Sequence, residues 1–174
     1  MLKIFLTQLH GYLKKVTEEE MAIEDGARLL AQAVVGEGRI FVHGVEEMEG
    51  VVIDAIKGRD ALPKVARLLE NGAICDDIDE TDRLLLIAPF ANDEQAIRLA
   101  EQLGGKVPIV AIAAATEGER SLADIVDVYI DSKLTKPLLP REDGTRFGFP
   151  ATITALFAYY CLLLTVHEIL EEYN

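Results

Sequence analysis

The sequence predicts an α/β fold, a three-layer α/β/α sandwich around a five-stranded, mainly parallel sheet. Three observations predict it. Arg83 to Ala88 and Pro108 to Ala114 are apolar runs without polar alternation, as expected of parallel strands covered on both faces. Strand-like runs alternate with helical patterns along most of the chain. Arg39 to His43 reads as a buried strand that stops on Gly44 and turns into a helix, the place where α/β proteins bind ligands.

The elements follow in order. Met1 to Val16 places Leu2, Phe5, Leu9, Leu13 and Val16 at helical spacing, and it lacks the long apolar stretch and small-residue cleavage site of an export signal. A second helix is expected from Thr17, with Glu20 completing a capping box, to Val35, ending at Gly36. The first strand and a helix to Lys57 come next. Pro63 then opens a short helix with Leu62, Val65, Leu68 and Leu69 inward, closed by Asn71-Gly72. Ala73 to Cys75 reads as strand two. Arg83 to Ala88 is strand three, stopped by Pro89. Asn92 caps a helix over 93–103, which ends at Gly104-Gly105; Pro108 to Ala114 and Val126 to Ile130 are the last strands. Ala151 to Val166 is apolar but carries threonines and tyrosines and is shorter than the roughly 20 residues a span needs, so it reads as a buried helix.

Without repeats or linkers, the 174 residues form a single domain: N-terminal helices 1–35, an α/β core 36–131, a basic loop 132–149 and a C-terminal helix 150–174. The net charge of −13 argues against nucleic acid or an anionic membrane as partner. Cys75 and Cys161 have no metal-type or redox-motif spacing and read as reduced core thiols, which points to the cytoplasm. No metal is expected, since the histidines and acids lack ligand spacing, and no cofactor. Gly36 and Gly38 precede the first strand, whereas a dinucleotide site needs its glycines after it; a P-loop is also missing.

The common doubly wound, flavodoxin-like order 2-1-3-4-5 places loops 44–49 and 89–94 together at the switch point. One connection fits poorly. Residues 76–82 are too few for an ordinary parallel crossover, so strand two is either very short or not parallel.

Two amphipathic helices, then GEGRIFVHG, TDRLLLIAPFANDEQAIRLAEQLGGKVPIVAIAA and SLADIVDVYID, then a long terminal helix, together resemble the SIS (sugar isomerase) domain, in its phosphoheptose isomerase-like branch. The resemblance covers nearly the whole chain and rests on layout and strand patterning. It implies a domain that binds a sugar phosphate or related carbohydrate derivative, either as an aldose-ketose isomerase or as a non-catalytic binding, regulatory or dimerisation module. In the family, hydroxyls after strands one and three hold the phosphate. Here the matching positions are Val45-Glu46-Glu47-Met48-Glu49 and Pro89-Phe90-Ala91-Asn92-Asp93-Glu94, with every hydroxyl gone.

Candidate catalytic residues are Glu47 as base, with His43 or His167 as its partner, because imidazole titrates near neutrality. For each, a structural role stands beside the chemical one: a buried bonded imidazole for His43, solvated acids at a helix start for Glu46, Glu47 and Glu49, a helix surface for His167. Candidate ligand-binding residues are Gly44, Glu46, Asn92, Asp93, Thr116, Arg141 and Arg146. The last two belong to a loop that also holds Lys133 and Lys136; its cations could anchor phosphate in place of the missing hydroxyls, or serve a subunit contact or charge balance. A homodimer is expected, since the N-terminal and terminal helices offer more apolar face than one sheet needs.

Overall fold

The computed structural model describes residues 1–118 and 120–173. Its elements are α1 (Leu2–Thr17), α2 (Glu20–Val35), β1 (Ile40–Gly44), α3 (Glu49–Lys57), β2 (Val65–Arg67), β3 (Leu69–Glu70), β4 (Ala73–Ile74), β5 (Arg83–Phe90), α4 (Glu94–Leu103), β6 (Ile109–Ala114), β7 (Val128–Asp131), β8 (Leu139–Pro140), β9 (Arg146–Phe147) and α5 (Ala151–Glu172). Short 3-10 turns precede α3 (Glu46–Met48) and β7 (Leu122–Asp124). The main sheet has the order β2-β1-β5-β6-β7, and every neighbouring pair is parallel. This is the expected doubly wound order.

Side chains alternate across the strands and fill two cores. Ile40, Val42, Leu85, Ile87, Val110 and Ile112 pack under α2, α3 and α5. Phe41, Leu84, Leu86, Ile109 and Ala111 pack under α4. Burying β5 and β6 on both faces explains their unbroken apolar sequences. The amino edge is tied by the buried Asp82, whose Oδ1 accepts from the Arg39 amide at 2.8 Å and whose Oδ2 accepts from the Asp79 amide at 3.0 Å and from the Arg39 guanidinium at 3.3 Å.

Several local expectations are corrected. Residues 65–67, expected in a helix, are the second strand of the sheet, parallel to β1, with Ile40 opposite Val65. Leu62 joins the core beneath α3 and α5, while Leu68 joins the opposite core. A helix would have put both on one face; an extended segment crossing the sheet edge separates them. Ala73-Ile74 is not in the main sheet. It pairs antiparallel with β3 across Asn71-Gly72, both at positive φ (52° and 81°). This hairpin packs on the α4 side and occupies the place of a crossover helix, which resolves the short connection. Pro89 does not stop β5: the strand runs on to Phe90 through a register shift against β6.

Helix starts also differ. Thr17 is the last residue of α1, its hydroxyl donating to the Lys14 carbonyl, and α2 begins after Glu19 without a side-chain cap. Asp93 rather than Asn92 caps α4, accepting from the Ala96 amide at 2.9 Å. The terminal helix, with 22 residues, is long and apolar enough to cross a membrane by length and composition, so the length argument against a span does not hold. Packing gives the better account: Tyr159, Leu162, Leu163 and Val166 are buried against the sheet and α2.

Candidate ligand-binding site

Parallel pairing of β1 with β5 brings their following loops together above the carboxyl edge, where the Val45 amide donates to the Ile87 carbonyl at 2.9 Å. Gly44 is buried, and a Cβ there would lie 2.4 Å from the Met48 carbonyl oxygen. Its lack of a side chain lets the 3-10 turn fold tightly back over β1. Within that turn the Met48 amide donates to the Val45 carbonyl at 3.0 Å. Two loop amides are therefore engaged inside the protein rather than presented to a ligand.

The three acids of the turn divide. Glu49 forms an ion pair with Arg67 of β2. Glu46 and Glu47 are exposed, and among the described residues no ion pair or hydrogen bond engages either carboxylate. Glu46 holds the left-handed conformation at φ 54°, a geometry of order 1 kcal/mol or more above the ordinary regions for a non-glycine residue. His43 is half-buried at the end of β1. Burial pushes its imidazole below the ordinary range; Glu49 raises it in part, and Arg67 lowers it further. The lowered pKa disfavours the imidazolium, so His43 is a poorer fixed cation for phosphate than an exposed histidine would be.

An aromatic pair stands at the end of β5. Phe90 stacks on Phe149 with centroids 5.7 Å apart and an interplanar angle of 18°. This contact carries the end of the 132–149 loop to the end of β5 and sets the start of α5 beside the 45–48 turn, where the Gly50 backbone packs near Thr152. The first turn of α5 holds no acid and has no side-chain cap, so its positive dipole end faces this region. The Ala91 amide donates to the Ala114 carbonyl and the Leu122 amide to the Ala91 carbonyl, both at 2.8 Å, fixing the loops after β5 and β6 to each other.

The remaining candidates are dispersed. Asn92 lines a groove of about 370 Å³ with Glu94, Ile97, Arg98 and Arg120 on the α4 side. Asp93 is engaged as the cap. Thr116 is half-buried in the loop after β6. His167 lies 15 residues beyond Thr152, about 22 Å down α5, toward the end where Ile169 and Tyr173 meet Gly36 at the amino side of the sheet. It is not brought to loops 44–49 and 89–94 of its own chain.

The basic loop forms the β8-β9 hairpin beside the start of α1. Arg146 donates to the Pro137 and Leu138 carbonyls, both at 2.9 Å, and Arg141 stacks over Phe147 at 4.6 Å. Lys133 pairs with Glu19 and Asp131. These bonds hold the hairpin together and balance acidic neighbours. Sequence reading missed Arg67, because its segment looked helical, and it missed the Phe90-Phe149 pair and the start of α5, which only the fold brings together.

The family model described as domain of unknown function (DUF2529) matches residues 1–170. The chain belongs to this family. It is 41% identical over 175 residues to the uncharacterized protein YwjG of Bacillus subtilis, covering 99% of each. Among solved structures, the DUF2529 chain is similar to the hypothetical protein MJ1247 of Methanococcus jannaschii, whose crystal structure is described as inferring a 3-hexulose-6-phosphate isomerase function (TM-score 0.66, 15% identity, 97% and 90% of the two chains). It is also similar to the Vibrio vulnificus NanR protein complexed with ManNAc-6P (TM-score 0.67, 12% identity, 99% and 64%). A third likeness is to the sugar isomerase domain of an RpiR transcription factor from Sphaerobacter thermophilus (TM-score 0.59, 14% identity, 97% and 96%). At such identities these likenesses show a shared SIS-like fold.

Proposed function

We propose that this chain binds a sugar phosphate or related carbohydrate derivative at the carboxyl edge of its sheet, between loops 44–49 and 89–94, as a SIS-type domain that works as a pair of identical subunits. One observation carries the reading: a fold shared along nearly the whole chain with sugar-phosphate proteins puts these two loops side by side at the switch point. The distribution of charge suggests the pose. The anionic end of the ligand lies toward the acid-free start of α5, with Glu46 and Glu47 accepting from sugar hydroxyls and the Phe90 ring flanking the sugar.

The two free acids repel a phosphate placed near them. Replacing both by Gln keeps acceptors while removing charge, so sugar phosphates should bind about three- to tenfold more tightly, and the uncharged sugars should bind as before. Calorimetry with the parent and the double variant checks this. Weaker binding of the phosphates by the variant contradicts the pose.

A second reading, isomerisation of the phosphoheptose type, is favoured by the Glu47 carboxylate, unpaired among the described residues, on the loop that follows the half-buried His43. Moving a proton between adjacent carbons needs such a base. If it acts, the parent exchanges solvent deuterium into a sugar phosphate, and Glu47→Gln slows that exchange about 10²- to 10⁴-fold. A parent that binds but exchanges nothing leaves the non-catalytic binding module. His167 enters this reading only if a second subunit supplies it.

A further inference from the structure

The helix α1 has an unusual charge for this protein. It contains Lys3, Lys14 and Lys15 and no acid, in a chain whose net charge is −13. Phe5, Leu9, Tyr12 and Val16 turn inward on the core. Leu2, Leu6 and Leu13, at i, i+4 and i+11, form a second stripe on its shoulder, with Leu2 84% and Leu6 66% exposed. Lys3, His10 and Lys14, at i, i+7 and i+11, run along the outer margin of that stripe. An amphipathic helix gains nothing by presenting such a stripe to water, whereas covering it removes apolar surface from solvent.

The complementary surface is on the same molecule. A groove of about 570 Å³ runs between α2 and α5, with Ile23, Leu164 and Ile169 along its floor. Leu164 is 61% exposed. The rim carries Glu20, Glu24, Glu168 and Glu172, and Arg28, the cation among them, is engaged with Glu24. An apolar floor between acidic walls fits a helix with a leucine stripe and a lysine margin. It disfavours an anionic lipid surface or a nucleic acid.

We propose that α1 of one copy lies in the α2-α5 groove of a second copy, and reciprocally, so that the leucine stripe covers Leu164 and Ile169 while Lys3 and Lys14 face the glutamates. The contact is self-complementary, as a two-fold dimer requires. Two 16-residue helices, each about 24 Å long, can cover area of the order of the roughly 1,600 Å² typical of a specific interface. The inference rests on the two-subunit assembly proposed above and assigns its surface; it does not depend on the sugar.

Sedimentation velocity across a concentration series tests it on the full chain, with two charge-reversed variants, Lys3→Glu with Lys14→Glu, and Glu24→Lys with Glu168→Lys. Each variant alone sets like charges against each other, and its dimer dissociation constant should rise about tenfold or more. Mixed in equal amounts, the variants pair opposite charges at both contacts, and the dimer should return to within about threefold of the parent. That recovery also shows that both variants are folded. A parent dimer whose affinity neither reversal changes, or variants that stay monomeric when mixed, overturns the assigned surface. A parent that is monomeric throughout overturns the two-subunit assembly as well and leaves the sugar reading to its own test.

Discussion

His43 and Gly44 sit side by side at the end of β1 and constrain the site in different ways. Burial lowers the His43 pKa, so between the folded value and the ordinary value of about 6.5 the unfolded chain holds a proton that the native chain lacks. Native stability therefore falls as pH drops through this window, and His43 adds no further loss below it. Nuclear magnetic resonance titration should find the imidazole titrating below its ordinary range. Glu49→Gln, by removing the group that raises this pKa, should lower it further; an upward shift would contradict the local electrostatics. For Gly44 the constraint is steric. Alanine would set a Cβ 2.4 Å from the Met48 carbonyl, so Gly44→Ala should reduce unfolding free energy by about 2 kcal/mol in urea titrations, and a neutral result would mean that the 3-10 turn moves freely. The strand-glycine-helix pattern at Gly44 was readable from sequence, but the reason for the glycine was not. It makes room for the protein's own carbonyl rather than for a ligand.

The helices and strands show which signals carry across scales. The long buried strands β5 and β6 are visible in sequence because both faces are covered, so their composition needs no partner to interpret. The edge strand β2 is not. Its Val65-Ala66-Arg67 sequence is short and half-buried, and the leucines around it serve two different cores, which imitates helical spacing. The same error hid Arg67, the ion-pair partner of Glu49. Helix α4 was found with its start one residue early: Asn92 and Asp93 are both good caps, and only the hydrogen bond from Ala96 to Asp93 separates them. Asp93→Ala should cost about 1 kcal/mol of stability, whereas Asn92→Ala should leave stability nearly unchanged. Equal losses in chemical denaturation would show that the cap is shared. Asp93 is consequently a poor ligand candidate, its side chain being occupied in holding the helix that frames the site.

For the whole molecule, strand order determines what can meet. The sequence order of strands and the topological rule for parallel sheets were enough to bring loops 44–49 and 89–94 together. They did not place α5, whose first turn reaches that region as the helix packs along α2 and α3 and Phe149 stacks on Phe90. His167 shows the converse. Its position on the terminal helix was clear, yet a helix of 22 residues carries it toward the amino edge of the sheet. The basic loop, judged by composition alone, looked equally suited to phosphate or to structure, and its internal hydrogen bonds favour structure. The proposed site for a carbohydrate derivative is where the loops after β1 and β5 meet the start of α5. The most direct test is to titrate isotopically labelled protein with a panel of hexose and heptose phosphates and follow every backbone amide. Shifts should concentrate in residues 43–49, 90–93 and 149–153, with the α2-α5 groove and the β8-β9 hairpin unmoved. Shifts centred on Arg141 and Arg146, or on the α2-α5 groove, or none with any member of the panel, would contradict it.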